Sequence, residues 1–171
     1  MKTDYHKLFD SNPEFISDGF DFPVGPPDAR GYYNAQKFGA NDHLGDDWNG
    51  TGGGNTDLGD PIYCVGHRYV KSAVDHGGGW GNVIRIVHYI KEKDQFIESL
   101  YAHCDAITVS NGDWVKRGEQ IGTIGNAAGV YWAHLHLEIR TNIEMGLGGG
   151  YSEETDGFVD PTSFIKANRP Q

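Results

Sequence analysis

The stretch Ala133-His134-Leu135-His136-Leu137-Glu138-Ile139 alternates apolar and polar residues over seven positions. A period of two marks a half-buried β-strand, because successive side chains of a strand point to opposite faces. On that reading His134, His136 and Glu138 share one face while Leu135, Leu137 and Ile139 enter a core. Three groups able to bind a metal or move protons, aligned on one face, call for a partner segment. That partner stands far upstream, in His43-Leu44-Gly45-Asp46-Asp47.

The rest of the chain agrees with a β fold. Glycine accounts for 25 of 171 residues, about twice the usual ~7%. Much of it falls in clusters such as Gly52-Gly53-Gly54 and Gly77-Gly78-Gly79. The apolar runs between clusters are short and filled by strand formers, which predicts an all-β protein of antiparallel sheets and many turns. The length suits one domain with a real core. We expect an N-terminal extension over residues 1–21, an arm packed on the domain, and a domain proper over residues 22–168. No run approaches the roughly 18–20 apolar residues of a membrane span.

Taken in order, His43 to Trp48 reads as a short strand or strand end, and Asn49 to Asp60 as a loop. Pro61–Val65 and Tyr69–Val74 read as strands either side of a turn containing Gly66. Asn82–Tyr89 and Ile97–Cys104 form a hairpin across a charged turn, and Gly77–Gly81 is a loop. A short terminal helix is expected after Pro161.

A net charge of −10 argues against nucleic acid, which calls for a basic face, and against tight binding to anionic surfaces. Cys64 and Cys104 are too few for a disulfide framework; one bridge between them and two buried thiols both stay open. The N-terminal residues Met1–His6 hold no apolar stretch resembling a signal peptide. That leaves a cytoplasmic protein and an exported one lacking its leader as alternatives.

A catalytic zinc site typically uses three nitrogen or oxygen ligands and leaves a fourth position for water. His43, Asp47 and one of His134 and His136 would form such a set. If His43 and Asp47 lie on one extended segment, their spacing puts both on the same face, and Gly45 between them permits close backbone approach. Hydrolysis further needs groups to take a proton from water and to stabilise an oxyanion; His103 and the non-ligating member of the 134/136 pair are the candidates. Asp46 reads as a solvated neighbour of Asp47, His6 and His67 as solvated, His76 as a surface residue, and His88 as a structural histidine. Glu138 reads as a supporting carboxylate.

These segments together resemble the lysostaphin/LytM family of zinc metallopeptidases. Its His-x-Gly-x-Asp motif corresponds to His43–Asp47, followed by Gly59-Asp60-Pro61-Ile62. Its Tyr-x-His motif corresponds to Tyr101-Ala102-His103, followed by the glycine-rich hairpin from Gly112 to Gly122. Its His-x-His-x-Glu motif is His134 to Glu138, and the closing Asp-Pro is Asp160-Pro161. The resemblance covers roughly residues 22–166 and implies a duplicated hybrid (barrel-sandwich) motif: β-sandwich-like antiparallel sheets around an open groove. It implies Zn2+ held by His43, Asp47 and His136, and a catalytic pair of His103 and His134. It also implies cleavage of peptide bonds in peptidoglycan stems or bridges, by a monomer working in the periplasm or outside the cell.

Three other readings compete. One is an inactive family member that activates other wall hydrolases, and another is an endopeptidase acting on proteins. The third is a phosphocarrier or lipoyl-like module, which shares the Gly112–Gly122 hairpin but has no use for a His-x-His-x-Glu strand.

Overall fold

The computed structural model describes residues 2–171. These residues contain ten strands, joined by long loops and turns: β1 (Tyr32–Gln36), β2 (Asp46–Gly50), β3 (Pro61–Tyr63), β4 (Arg68–Asp75), β5 (Asn82–Ile90), β6 (Gln95–Cys104), β7 (Trp114–Val115), β8 (Gln120–Thr123), β9 (Leu135–Arg140) and β10 (Phe158–Val159). Two short helices stand near the ends, α1 (Tyr5–Asp10) and α2 (Pro161–Ala167). The large sheet runs β1-β2-β9-β6-β5-β4-β7, with β10 on the far part of β9, and β3 pairs with β8 in a two-stranded sheet. Every pairing is antiparallel. The architecture is therefore all-β, as the alternating pattern predicts.

Alternation explains the sheet's two faces. Leu135, Leu137 and Ile139 of β9 join Ile84 and Ile86 of β5 and Tyr101 of β6 in the main core. Residues of the two-stranded sheet, Ile62 and Ile121, close that core from the other side. The opposite face carries His136, Glu138 and Arg140, and these too are buried. The segment 141–151 roofs part of this second face, and three cations hold it there. Lys71 Nζ donates to Ile143 O, Arg85 Nη2 to Met145 O at 2.7 Å, and Arg140 to the carbonyls of Gly146 and Leu147.

Helix α1 covers more of that face. Asp4 caps it by accepting from Lys7 N, which satisfies one of the free amides of a helix start. Phe9 then sits fully buried beside Val87 and Tyr89. Phe20 belongs to the main core, packed edge-on to His88 and Phe164. Helix α2 begins at Pro161 behind the Asp160 cap, where the terminal helix is expected.

Two local expectations change, and one open alternative closes. Strand β2 starts at Asp46, so His43 precedes it, at the end of a 3-10 turn over Ala40–Asp42. Strands β3 and β4 flank Gly66 but pair in different sheets. Cys64 and Cys104 are buried free thiols, and burial pushes the Cys104 thiol up to about 12.

Candidate metal centre

The centre forms where β2 and β9 pair. Asp47 stands directly opposite His136 in that ladder, so two candidate donors meet across one rung. His43 arrives from outside the strand. Its backbone forms a bridge to Tyr151, and its ring lies against the Tyr151 ring at 5.1 Å between centroids. Gly45 makes the approach possible, since a Cβ there would lie 2.3 Å from the Leu137 carbonyl oxygen.

Three atoms converge. His136 Nδ1 lies 3.0 Å from His43 Nε2 and 3.0 Å from Asp47 Oδ1; His43 Nε2 lies 3.3 Å from Asp47 Oδ1. The same three residues are those whose donor atoms group closely enough to share an ion. On its other side, His136 Nε2 meets Glu138 Oε1 at 2.8 Å. A carboxylate can only accept, so Nε2 carries the proton. In its neutral form, the one a metal ligand needs, His136 then turns a lone pair toward His43 and Asp47. Lone pairs and a carboxylate converging in a buried place repel unless a cation or a proton lies among them, and this donor set suits zinc.

Without a cation, protons compensate. Burial lowers the affinity of His136 for a proton, but hydrogen bonds that its ring donates to the Asp47 and Glu138 carboxylates outweigh it and raise the pKa to about 9. Burial alone would raise the Asp47 carboxyl, yet hydrogen bonds from His136 and His43 hold it well below the usual range.

His103 and His134 stand beside this cluster with ring centroids 4.7 Å apart. His103 Nδ1 meets the Trp80 carbonyl at 3.2 Å and His134 Nδ1 the Trp132 carbonyl at 2.9 Å. A carbonyl cannot donate, so each Nδ1 carries its proton and each Nε2 is left as an acceptor. Burial, then the nearby His134 and His136, lowers the His103 pKa to about 3. His103 has a positive φ of 64°, a strained conformation for a residue with a side chain. A bulge in the β5–β6 register lies in the same stretch, and bulges re-aim side chains in this way. Gly125 lets the neighbouring chain pass, since a Cβ there would lie 2.1 Å from His103 O.

Asp47, His103, His134 and His136 line a groove of about 890 Å³. Trp80, Tyr131, Trp132 and Tyr151 supply its aromatic walls, and Gln36, Asn49, Asn55 and Asn126 its amides. Trp132 is 70% exposed.

The structure thus brings together His43, Asp47, His103, His134 and His136, with Glu138 behind. It also corrects two readings. Asp46 is fully buried rather than solvated: it accepts from Phe38 N at 3.0 Å, Thr162 N at 3.1 Å and Thr162 Oγ1 at 2.6 Å. His67 is half-buried, accepting from Arg117 N and lying 3.3 Å from Asp18. His88 is structural, bonded to Ser99 Oγ at 2.8 Å and to the His67 carbonyl. The groove aromatics and Tyr151 escape a sequence reading, because they come from loops with no period to reveal their direction.

Comparison with known proteins follows the same lines. The family model described as "Peptidase family M23" matches residues 48–146, a span that begins just after Asp47. The chain is 39% identical over 84 residues to the uncharacterized lipoprotein YgeR of Escherichia coli, covering 48% of this chain and 30% of that protein. It is 32% identical over 85 residues to the peptidoglycan DD-endopeptidase ShyC of Vibrio cholerae, covering 50% of this chain and 18% of that one. The chain thus spans a minor part of both. Among solved structures, lysostaphin from Staphylococcus simulans superposes with a TM-score of 0.59 at 22% identity, over 80% of this chain and 50% of that one. A zinc-containing peptidase from Vibrio cholerae does so with a TM-score of 0.51 at 27% identity, over 71% and 36%.

Proposed function

The chain belongs to peptidase family M23, and from that premise we propose that it is a zinc-dependent endopeptidase cleaving peptide bonds in peptidoglycan stems or bridges. In this reading His43, Asp47 and His136 hold the ion, and His103 and His134 carry the proton transfers. The activity belongs to residues 22–168, with residues 1–21 as an extension, in a monomer acting in the periplasm or outside the cell. The observation that supports it best is the meeting of His43 Nε2, Asp47 Oδ1 and His136 Nδ1 within 3.0–3.3 Å beside two further histidines whose Nε2 atoms are acceptors.

When bound, zinc would polarise the scissile carbonyl and bring water toward ionisation near neutral pH. The chain's own residues do the rest. His103 is neutral at pH 7, and its Nε2 accepts the proton of the attacking water. The imidazolium so formed is a donor, able to stabilise the developing oxyanion and then to protonate the leaving nitrogen. His134 stands close enough to share either task. Trp80 and Trp132 fix both rings through their carbonyls, so neither imidazole must reorient during the reaction.

The groove supports a peptide that is uncharged near the cleaved bond. Its lining combines aromatic faces, amides and glycines, and its one acid is Asp47. The relative named as a peptidoglycan DD-endopeptidase supports the substrate class. Digestion of purified sacculi, with released fragments identified by mass spectrometry, tests the reading. Peptide-linked fragments cut at one bond type are expected. Intact sacculi in the presence of zinc-loaded protein would overturn it in favour of an activator or a protein-directed peptidase.

A further inference from the structure

Arg140 is fully buried at the end of β9, two residues past Glu138 on the same face. Its guanidinium is divided between two tasks. Nε and Nη2 hold Glu138 Oε2 at 2.8 and 2.6 Å. Nη1 donates to Gly146 O at 2.7 Å and Nη2 to Leu147 O at 2.6 Å. Glu98, also fully buried, lies 3.8 Å away and is itself paired with Arg85 and Lys71.

Each task leads to the metal centre by its own path. Through Glu138 the path reaches His136 Nε2. Fixing that carboxylate fixes the proton on Nε2, and so the lone pair on Nδ1. Through Gly146 and Leu147 the path reaches the wall of the groove. Beyond Leu147, Gly148 O accepts from Trp80 Nε1 at 3.1 Å, and Gly150 O accepts from Leu44 N at 2.9 Å. Tyr151 then rests against His43.

We propose that Arg140 is a positioning residue that sets two sides of the metal centre at once, the tautomer of His136 and the wall segment 146–151 that backs His43. A guanidinium suits this because its fixed fork serves a carboxylate and two carbonyls together, whereas an ammonium is a single point donor. The inference rests on the metal-site reading above, and its two halves are separable by experiment.

Zinc affinity, from competition with a chromogenic chelator, reads the first half; hydrogen exchange over residues 145–151 of the zinc-free protein reads the second. Arg140→Met is expected to weaken zinc by roughly 10–100-fold and to speed exchange across 145–151. Arg140→Lys keeps the charge and should recover one effect only in part. Glu138→Gln keeps the shape and the Arg140 bonds to Gly146 and Leu147. It should weaken zinc by roughly 10-fold or more while leaving exchange in 145–151 near wild type. Wild-type zinc affinity in Arg140→Met or in Glu138→Gln would overturn the first half. Unchanged exchange in Arg140→Met, or equal loosening in Glu138→Gln, would overturn the second. Should Arg140→Met not fold, Arg140→Lys takes its place: a point donor cannot serve Glu138 and both carbonyls, so wild-type zinc affinity together with unchanged exchange over 145–151 in that variant would overturn the proposal. A wild-type chain that takes up no zinc would sink the metal-site reading itself, while the exchange measurement still judges the wall.

Discussion

At the scale of single residues, the chemistry turns on which nitrogen of each histidine carries a proton. His103 and His134 have theirs fixed by backbone carbonyls, and His136 has its own fixed by Glu138. His103→Ala is expected to keep stoichiometric zinc and lose about 10²–10⁴-fold in kcat; metal analysis beside a peptide-cleavage assay checks both, and full activity would remove His103 from the mechanism. Asp46 teaches a different lesson. Adjacent acids in His43–Asp47 look alike in sequence, yet one faces the centre and the other is spent on Phe38 and Thr162. Thr162 is distant in the chain, so no local pattern announces that burial. Asp46→Ala leaves those buried donors without an acceptor and should cost about 1–3 kcal/mol in urea unfolding, with zinc uptake retained.

At the scale of elements, strand β9 is legible because alternation is a local property, and its apolar members do enter the core. The β5–β6 hairpin is legible for the same reason. Less legible are the pieces whose direction depends on tertiary contact. The 3-10 turn that delivers His43, the bulge near His103 and the roofing segment 141–151 have no period to read. Helix α1 is of this kind too: six residues long, it is too short to persist alone and relies on Phe9. That ring lies 5.1 Å from Trp114 in an edge-on arrangement and beside Tyr89 and Phe96. Phe9→Ala should therefore release α1 and cost about 3 kcal/mol, seen as a lower denaturant midpoint and an altered Trp114 fluorescence; an unchanged midpoint would mean that α1 contributes no stability.

At the scale of the whole molecule, buried ionisable groups set the response to acid. His88 is fully enclosed, and burial, with the Arg68 guanidinium adding to it, lowers its pKa to about 3. The unfolded chain takes up a proton on this histidine near its ordinary value of about 6.5, whereas the folded chain does not until about 3. Stability from this source is therefore complete above pH 6.5 and is lost as pH falls toward 3. Between pH 7 and pH 5 the loss is about 2 kcal/mol. Urea unfolding of zinc-free protein at the two pH values should show it, and His88→Gln should flatten the dependence; an equal slope in that variant would place the acid sensitivity elsewhere.

The rung that joins Asp47 to His136 has one more consequence. Side chains of a strand change face at every step, so sliding β9 past β2 by a single residue would present Leu135 or Leu137 to Asp47 and turn His136 away. A bound ion would therefore act as a proofreader of strand alignment, rewarding one register and no other. On the zinc-site reading proposed above, zinc affinity would double as a gauge of whether the sheet has been zipped correctly.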